Sequence, residues 1–238
     1  MWFKDYWRET TSPLYSLFFT LPLFLIYEIG LISISSNDII LMRNGADALM
    51  RQVFATLGIN GIYWMGLLFF IGFITVYIFQ RKYWTDTIIK GNFLFLMLLE
   101  SFIWSLLLYL FMSNVHYLLM SPRGSILVQQ VILAVGAGLY EEMLFRVLLI
   151  SGIASILGFI FQWGHSMRRW TGMIIAAGIF SAFHFIGEYG DYFTFNIFLV
   201  RFFAGIVLGV LYFYRGFGIT SWAHSIYDLM IVTRITLQ

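Results

Sequence analysis

The 238-residue chain has no cysteine. That excludes disulfides, a thiolate nucleophile, cysteine-held metals and a prenylated C-terminus. Charge is nearly as scarce. Asp, Glu, Lys and Arg make up 11% of the residues, against about 25% in a soluble domain. Fourteen basic and twelve acidic side chains cannot coat a globule of this size, so a soluble domain, a disordered chain and a charged-tail protein are all excluded. A net charge of +2 leaves no electrostatic footprint for nucleic acid. What is abundant is hydrophobic: 61% of the residues, with a mean hydropathy of +0.85. The apolar residues come in runs of about 20, not in the short alternating segments of an outer-membrane barrel. The expected fold is all-α, a polytopic transmembrane helical bundle, with residues 1–238 as a single integral membrane domain.

The first span is expected from about Pro13 to Ile34 and contains Pro22 and Glu28. The N-terminal MWFKDYWRETTS carries two acids and two bases, and no small-residue cleavage site follows this run. It reads as a retained helix and not as a signal peptide. In Gly45–Gly58, residues Ala46, Leu49, Met50, Val53, Phe54 and Leu57 form one stripe, with Asp47, Arg51 and Gln52 off it. This is the pattern of an interfacial amphipathic helix. Further spans are expected at about Ile62–Phe79 and, carrying Glu100, Phe93–Met112. The apolar stretch from Ser125 to Trp163 would reach nearly 60 Å as one helix, about twice a hydrocarbon core. It must tilt, break or lie partly along the interface, with Gly136 and Gly138 as the expected break. Thr171–Ile186, Phe195–Tyr214 and Ile219–Thr236 complete seven spans, or eight if the long stretch crosses twice.

Lys and Arg sit mostly between the runs. The basic link Arg81–Lys90 argues for a cytoplasmic face there and an N-terminus inside. With a single crossing of the long stretch, Arg168, Arg169 and Arg215 fall on that same side, and Glu188 and Asp191 on the other.

Ionisable groups inside spans are costly and face a protein interior, a cavity or one another. Three clusters stand out. In Tyr140-Glu141-Glu142-Met143-Leu144-Phe145-Arg146, Glu142 and Arg146 are four residues apart and can pair, while Glu141 points roughly 100° away. A second carboxylate without that partner suits a general base. Phe180-Ser181-Ala182-Phe183-His184 supplies an imidazole, which taken alone reads as a hydrogen-bonded core histidine. His224-Ser225-Ile226-Tyr227-Asp228 places an imidazole and a carboxylate on one face, either as a self-cancelling pair or as an oriented catalytic or metal-binding histidine. Together they fit activation of a water, by a Glu–His pair or by a metal. No G-x-S-x-G or H-E-x-x-H motif is present, which disfavours serine catalysis and the common zinc-protease helix. By these span boundaries His184 and His224 differ in depth by roughly 12 Å, so a shared site requires the helices to be offset. An ion-coupled transporter would show repeated halves, and none is present.

E-E-x-x-x-R, F-x-x-x-H and H-x-x-x-D, in that order on apolar helices, resemble the CPBP (CAAX protease and bacteriocin-processing, Abi) family of intramembrane endopeptidases. The stretch Arg201-Phe-Phe-Ala-Gly205-Ile-Val-Leu-Gly209 resembles the family's segment before its third motif. The resemblance covers about Gly136 to Asp228, within a motif-bearing core of about 125–236. It implies hydrolysis of a peptide bond in a membrane-associated protein or peptide. Carried over, Glu141 and His184 would activate water, His224 and Asp228 would line the oxyanion site, and Glu142 and Arg146 would support them. It implies no cofactor in the glutamate-dependent version. Zinc stays open, with Glu141, His184, His224 and Asp228 as candidate ligands. Better-known members carry Asn where this chain has Asp228, although Asp occurs there in bacterial relatives. An ionised Asp only accepts hydrogen bonds, so Asp228 serves an oxyanion only if protonated, or indirectly by orienting His224, or else acts as a metal ligand. The implied partners are a membrane-associated substrate and the lipid bilayer, and the implied location is a bacterial cytoplasmic membrane. Some members act as scaffolds or immunity proteins, and that alternative remains beside the peptidase.

Overall fold

The structure, a computed structural model, describes residues 2–33, 44–56, 58, 64–81, 89–113, 127–186 and 190–236. Among the described residues every regular element is helical. A short amphipathic helix, α1 (Trp2–Thr10), precedes α2 (Pro13–Ile32), which Ser12 caps by accepting from the Tyr15 amide. Then come α3 (Gly45–Thr56), α4 (Trp64–Arg81) and α5 (Gly91–Ser113). The long apolar stretch is one winding element. It opens as α6 (Leu127–Gly136), passes through π-helical turns at Ala137–Glu141 and Met143–Leu149, and ends as α7 (Ile150–Phe161). Helices α8 (His165–Phe183) and α9 (Phe195–Thr236) close the bundle.

Among the described residues four helical stretches are long and apolar enough to cross a membrane: Pro13–Ile32, Gly91–Met112, Val128–Phe161 and Phe195–Thr233. Phe69–Phe79 is a shorter apolar helix. Length and apolarity alone do not reach the expected seven or eight spans, for physical reasons. The last two expected spans are two helical segments that meet without a loop at Gly216, which takes a φ of 76°. The expected Thr171–Ile186 span starts earlier, at His165, and so includes Arg168 and Arg169. The expected break at Gly136 and Gly138 is absent, since the helix relaxes into π turns there instead. The beginning of the long stretch, most of the Arg81–Lys90 link, Leu57 and Glu188 lie outside the described residues.

Two ends of the bundle differ in charge. At one end Arg215, fully buried, donates from Nε to Glu100 Oε1 at 2.5 Å and from Nη2 to Glu100 Oε2 at 2.7 Å and Thr10 Oγ1 at 2.9 Å. The Tyr6 hydroxyl donates to the same carboxylate at 2.6 Å. Burial and the Glu100 carboxylate push that phenol well above the ordinary tyrosine range. Lys90 pairs with Glu9 at 3.0 Å, and Arg169 stacks over Phe213 near the start of α8. Arg201 pairs with Asp191 at the opposite end. Neither Glu28 nor Glu100 reaches Arg201: Glu28 accepts from the Tyr140 hydroxyl at 2.6 Å.

Helix α3 forms where the amphipathic pattern lies, but its buried face is Ala46, Asp47 and Met50, with Val53 54% exposed. Asp47, which falls off the apolar stripe, is buried because it accepts from the Tyr27 hydroxyl at 3.0 Å and from Arg51 at 2.7 Å. A side chain with two donors at hand escapes the cost of burial. Because the chain has no native cysteine, single-cysteine labelling tests this arrangement cleanly. Cysteines at Lys4 and Gly164 are expected to react from one face of the membrane and one at Tyr192 from the other. Labelling of Lys4 and Gly164 from opposite faces would break the single-crossing arrangement.

Candidate active site

The three clusters converge on one cavity of about 270 Å³. Glu141, His184, His224 and Asp228 all line it, joined by Asn44 and Arg201. Convergence begins with glycine. A Cβ on Gly138 would collide with the Ser225 hydroxyl and amide and the Ser221 carbonyl, so the π-helical segment and the second half of α9 touch backbone to backbone. Gly205 lets α9 approach the Ala177 backbone of α8, and Gly209 makes room for the Met173 side chain.

Glu142 is completely buried and points away from the cavity. Its Oε2 lies 3.0 Å from Arg146 Nε, and its Oε1 accepts from His224 Nδ1 at 2.7 Å. That bond fixes the Nδ1–H tautomer and turns Nε2 toward Asp228, 3.7 Å away. This separation is too long for a direct hydrogen bond. The Arg146 guanidinium also stacks on the Phe180 ring at 4.5 Å, linking the first cluster to the second.

Glu141 is turned the other way, into the cavity, and is 7% exposed. The helical offset separates the two carboxylates as the spacing implies. The Asn44 side-chain amide donates to Glu141 Oε1 at 2.9 Å. Asn44 is held in turn by its backbone amide on the Tyr27 hydroxyl at 3.1 Å and by accepting from the Ala46 amide at 2.9 Å. This residue was missed in the sequence. Asn-Gly before an amphipathic stripe signals a helix N-cap, but nothing local reveals a partner 97 residues away.

His184 sits just past the end of α8, with Nδ1 2.9 Å from the Phe180 carbonyl. Its ring therefore turns back one helical turn. The Phe180 ring lies 6.3 Å from that of His224, so the apparent depth mismatch is absorbed. The helix carrying His224 restarts after Gly216, out of register with the start of α8. Among the described residues no group of three or more His, Asp or Glu side chains is arranged to hold a metal ion.

Arg146 has 2% of its side chain exposed and Glu142 none. Arg146→Met is expected to destabilise the protein by roughly 3–5 kcal/mol, because it leaves a buried carboxylate short of its cation. Unfolding in mixed SDS micelles measures this, and the double variant with Glu142→Gln should recover much of the loss. A cost below about 1 kcal/mol would mean the pair behaves as a solvated one.

Set against protein-family models, residues 122–230 match the family described as type II CAAX prenyl endopeptidase Rce1-like. No curated protein and no solved structure matches the chain.

Proposed function

Residues 122–230 being an Rce1-like domain of the CAAX protease family, we propose that this integral membrane protein is an intramembrane endopeptidase in which Glu141 and His184 activate the attacking water. The observation that carries the reading is the division of labour between two adjacent carboxylates. Glu142 is consumed by Arg146 and His224, whereas Glu141 faces the cavity with one neutral amide donor. A carboxylate so placed can take a proton from a bound water, and His184 on the same cavity wall can share it. The attack on a peptide carbonyl builds negative charge on its oxygen. His224 and Asp228 both line the cavity, and an imidazolium held by Glu142 would donate to that oxygen. Asp228, whose carboxylate lies 3.7 Å from Nε2, supports the charged form of that ring by its nearby negative charge.

The substrate class is a membrane-associated protein or peptide, since the cavity lies among apolar helices. Seven crossings follow if α4, α8 and both halves of α9 each cross. The basic end then faces the cytoplasm by the distribution of Lys and Arg, in a bacterial cytoplasmic membrane. The mechanism proposed is the metal-free one, with zinc on Glu141, His184, His224 and Asp228 as its alternative.

Peptide-terminus profiling of host membranes carrying wild type or Glu141→Gln at equal abundance tests the reading. A terminus present only with wild type is expected. Identical profiles would refute hydrolysis and favour a non-proteolytic scaffold or immunity role.

A further inference from the structure

A second cavity, about 540 Å³, lies against a different face of the π-helical segment and shares no lining residue with the first. Most of its wall is apolar, including Leu17, Met50, Phe54, Phe73, Met143 and Val147. Polar groups gather at one end: Thr11, Ser16, Arg169 and Tyr212. Thr20, farther along, turns its hydroxyl onto the Ser16 carbonyl at 2.9 Å and offers little to a ligand. The polar end is the basic end of the bundle, beside Gly216 and the start of α2. From Pro13 to Thr20 the slot follows α2 for about 10 Å, well into an apolar half-bilayer of about 15 Å.

Water is a poor occupant of an apolar slot, and the fluid around these helices is lipid. The Arg169 guanidinium stacks on Phe213 at 4.4 Å, and among the described residues no carboxylate pairs with it. A cation at the headgroup level, above an apolar slot, is the chemistry that holds an anionic lipid between helices. We infer that this slot binds one anionic phospholipid, with an acyl chain between α2, α4 and the π-helical segment and the phosphate on Arg169. Met143 and Val147 belong to the same turns as Glu142 and Arg146, so the chain props the back of the segment that carries the candidate site. The inference does not depend on the peptidase reading.

Gly72 lines the slot, and a Cβ added there meets nothing within 4 Å. Gly72→Phe therefore fills the slot without a clash at its root, and Val76→Phe on the same wall is the substitute if that variant misfolds. Native mass spectrometry of the full-length protein in detergent, titrated with phosphatidylglycerol or phosphatidylcholine, reads the outcome. Wild type is expected to retain one phosphatidylglycerol, bound about fivefold more tightly than phosphatidylcholine, as one cation at the surface allows. Arg169→Gln should abolish that preference, and the slot-filling variant should weaken retention about tenfold or more. Equal retention by wild type and a folded slot-filling variant would mean annular lipid only and would overturn the inference. So would a slot that takes farnesyl-cysteine methyl ester in preference to phosphatidylglycerol.

Discussion

Glu142 is the group on which the arrangement of the site depends. It is fully buried, and it holds Arg146 with one oxygen and His224 with the other. A lone carboxylate at that depth would be prohibitively costly. Two partners on two elements offset the cost, and in doing so they set the distance between the π-helical segment and the second half of α9. Arg146 extends the link to α8 through the face of Phe180. One buried anion thus ties together the helices that carry all three motifs.

Geometry elsewhere serves the same end. The close approach at Gly138 lets the Glu142 to His224 bond form at 2.7 Å. The π turns, which are frequent at functional sites, reset the direction in which Glu141 projects without breaking the helix. Gly216 restarts the last helix, so that His224 lies near the level of Phe180. At the far end the Arg215, Glu100, Thr10 and Tyr6 cluster fastens α1 across α5 and α9. Charge is therefore concentrated in two knots, with apolar packing between them.

Much of this was legible in the sequence. The helical membrane class followed from apolar runs and scarce charge. The Glu142–Arg146 pair followed from a spacing of four on a helix, and the separate facing of Glu141 from its offset by one. Long-range partners were not legible. The pairing of Glu100 with Arg215 rather than Arg201, Asp47 beneath Tyr27, and Asn44 on Glu141 depend on how distant helices pack, which no local periodicity records. The π turns were hidden because glycines at 136 and 138 read as a break in the helix. The span count was not settled by apolar runs alone, because α8 carries Arg168 and Arg169 into its span and the last two runs meet directly at the non-helical Gly216.

The central claim is that two neighbouring carboxylates differ in kind, with Glu142 holding the fold and Glu141 left for chemistry. Thermal unfolding of the purified Glu141→Gln and Glu142→Gln proteins in one detergent tests it most directly. The account predicts a Tm close to wild type for Glu141→Gln, which keeps an acceptor for Asn44, and a clear drop for Glu142→Gln, which deprives Arg146 and His224 of their anion. An equal drop in both variants would contradict it, because Glu141 would then also be a structural group.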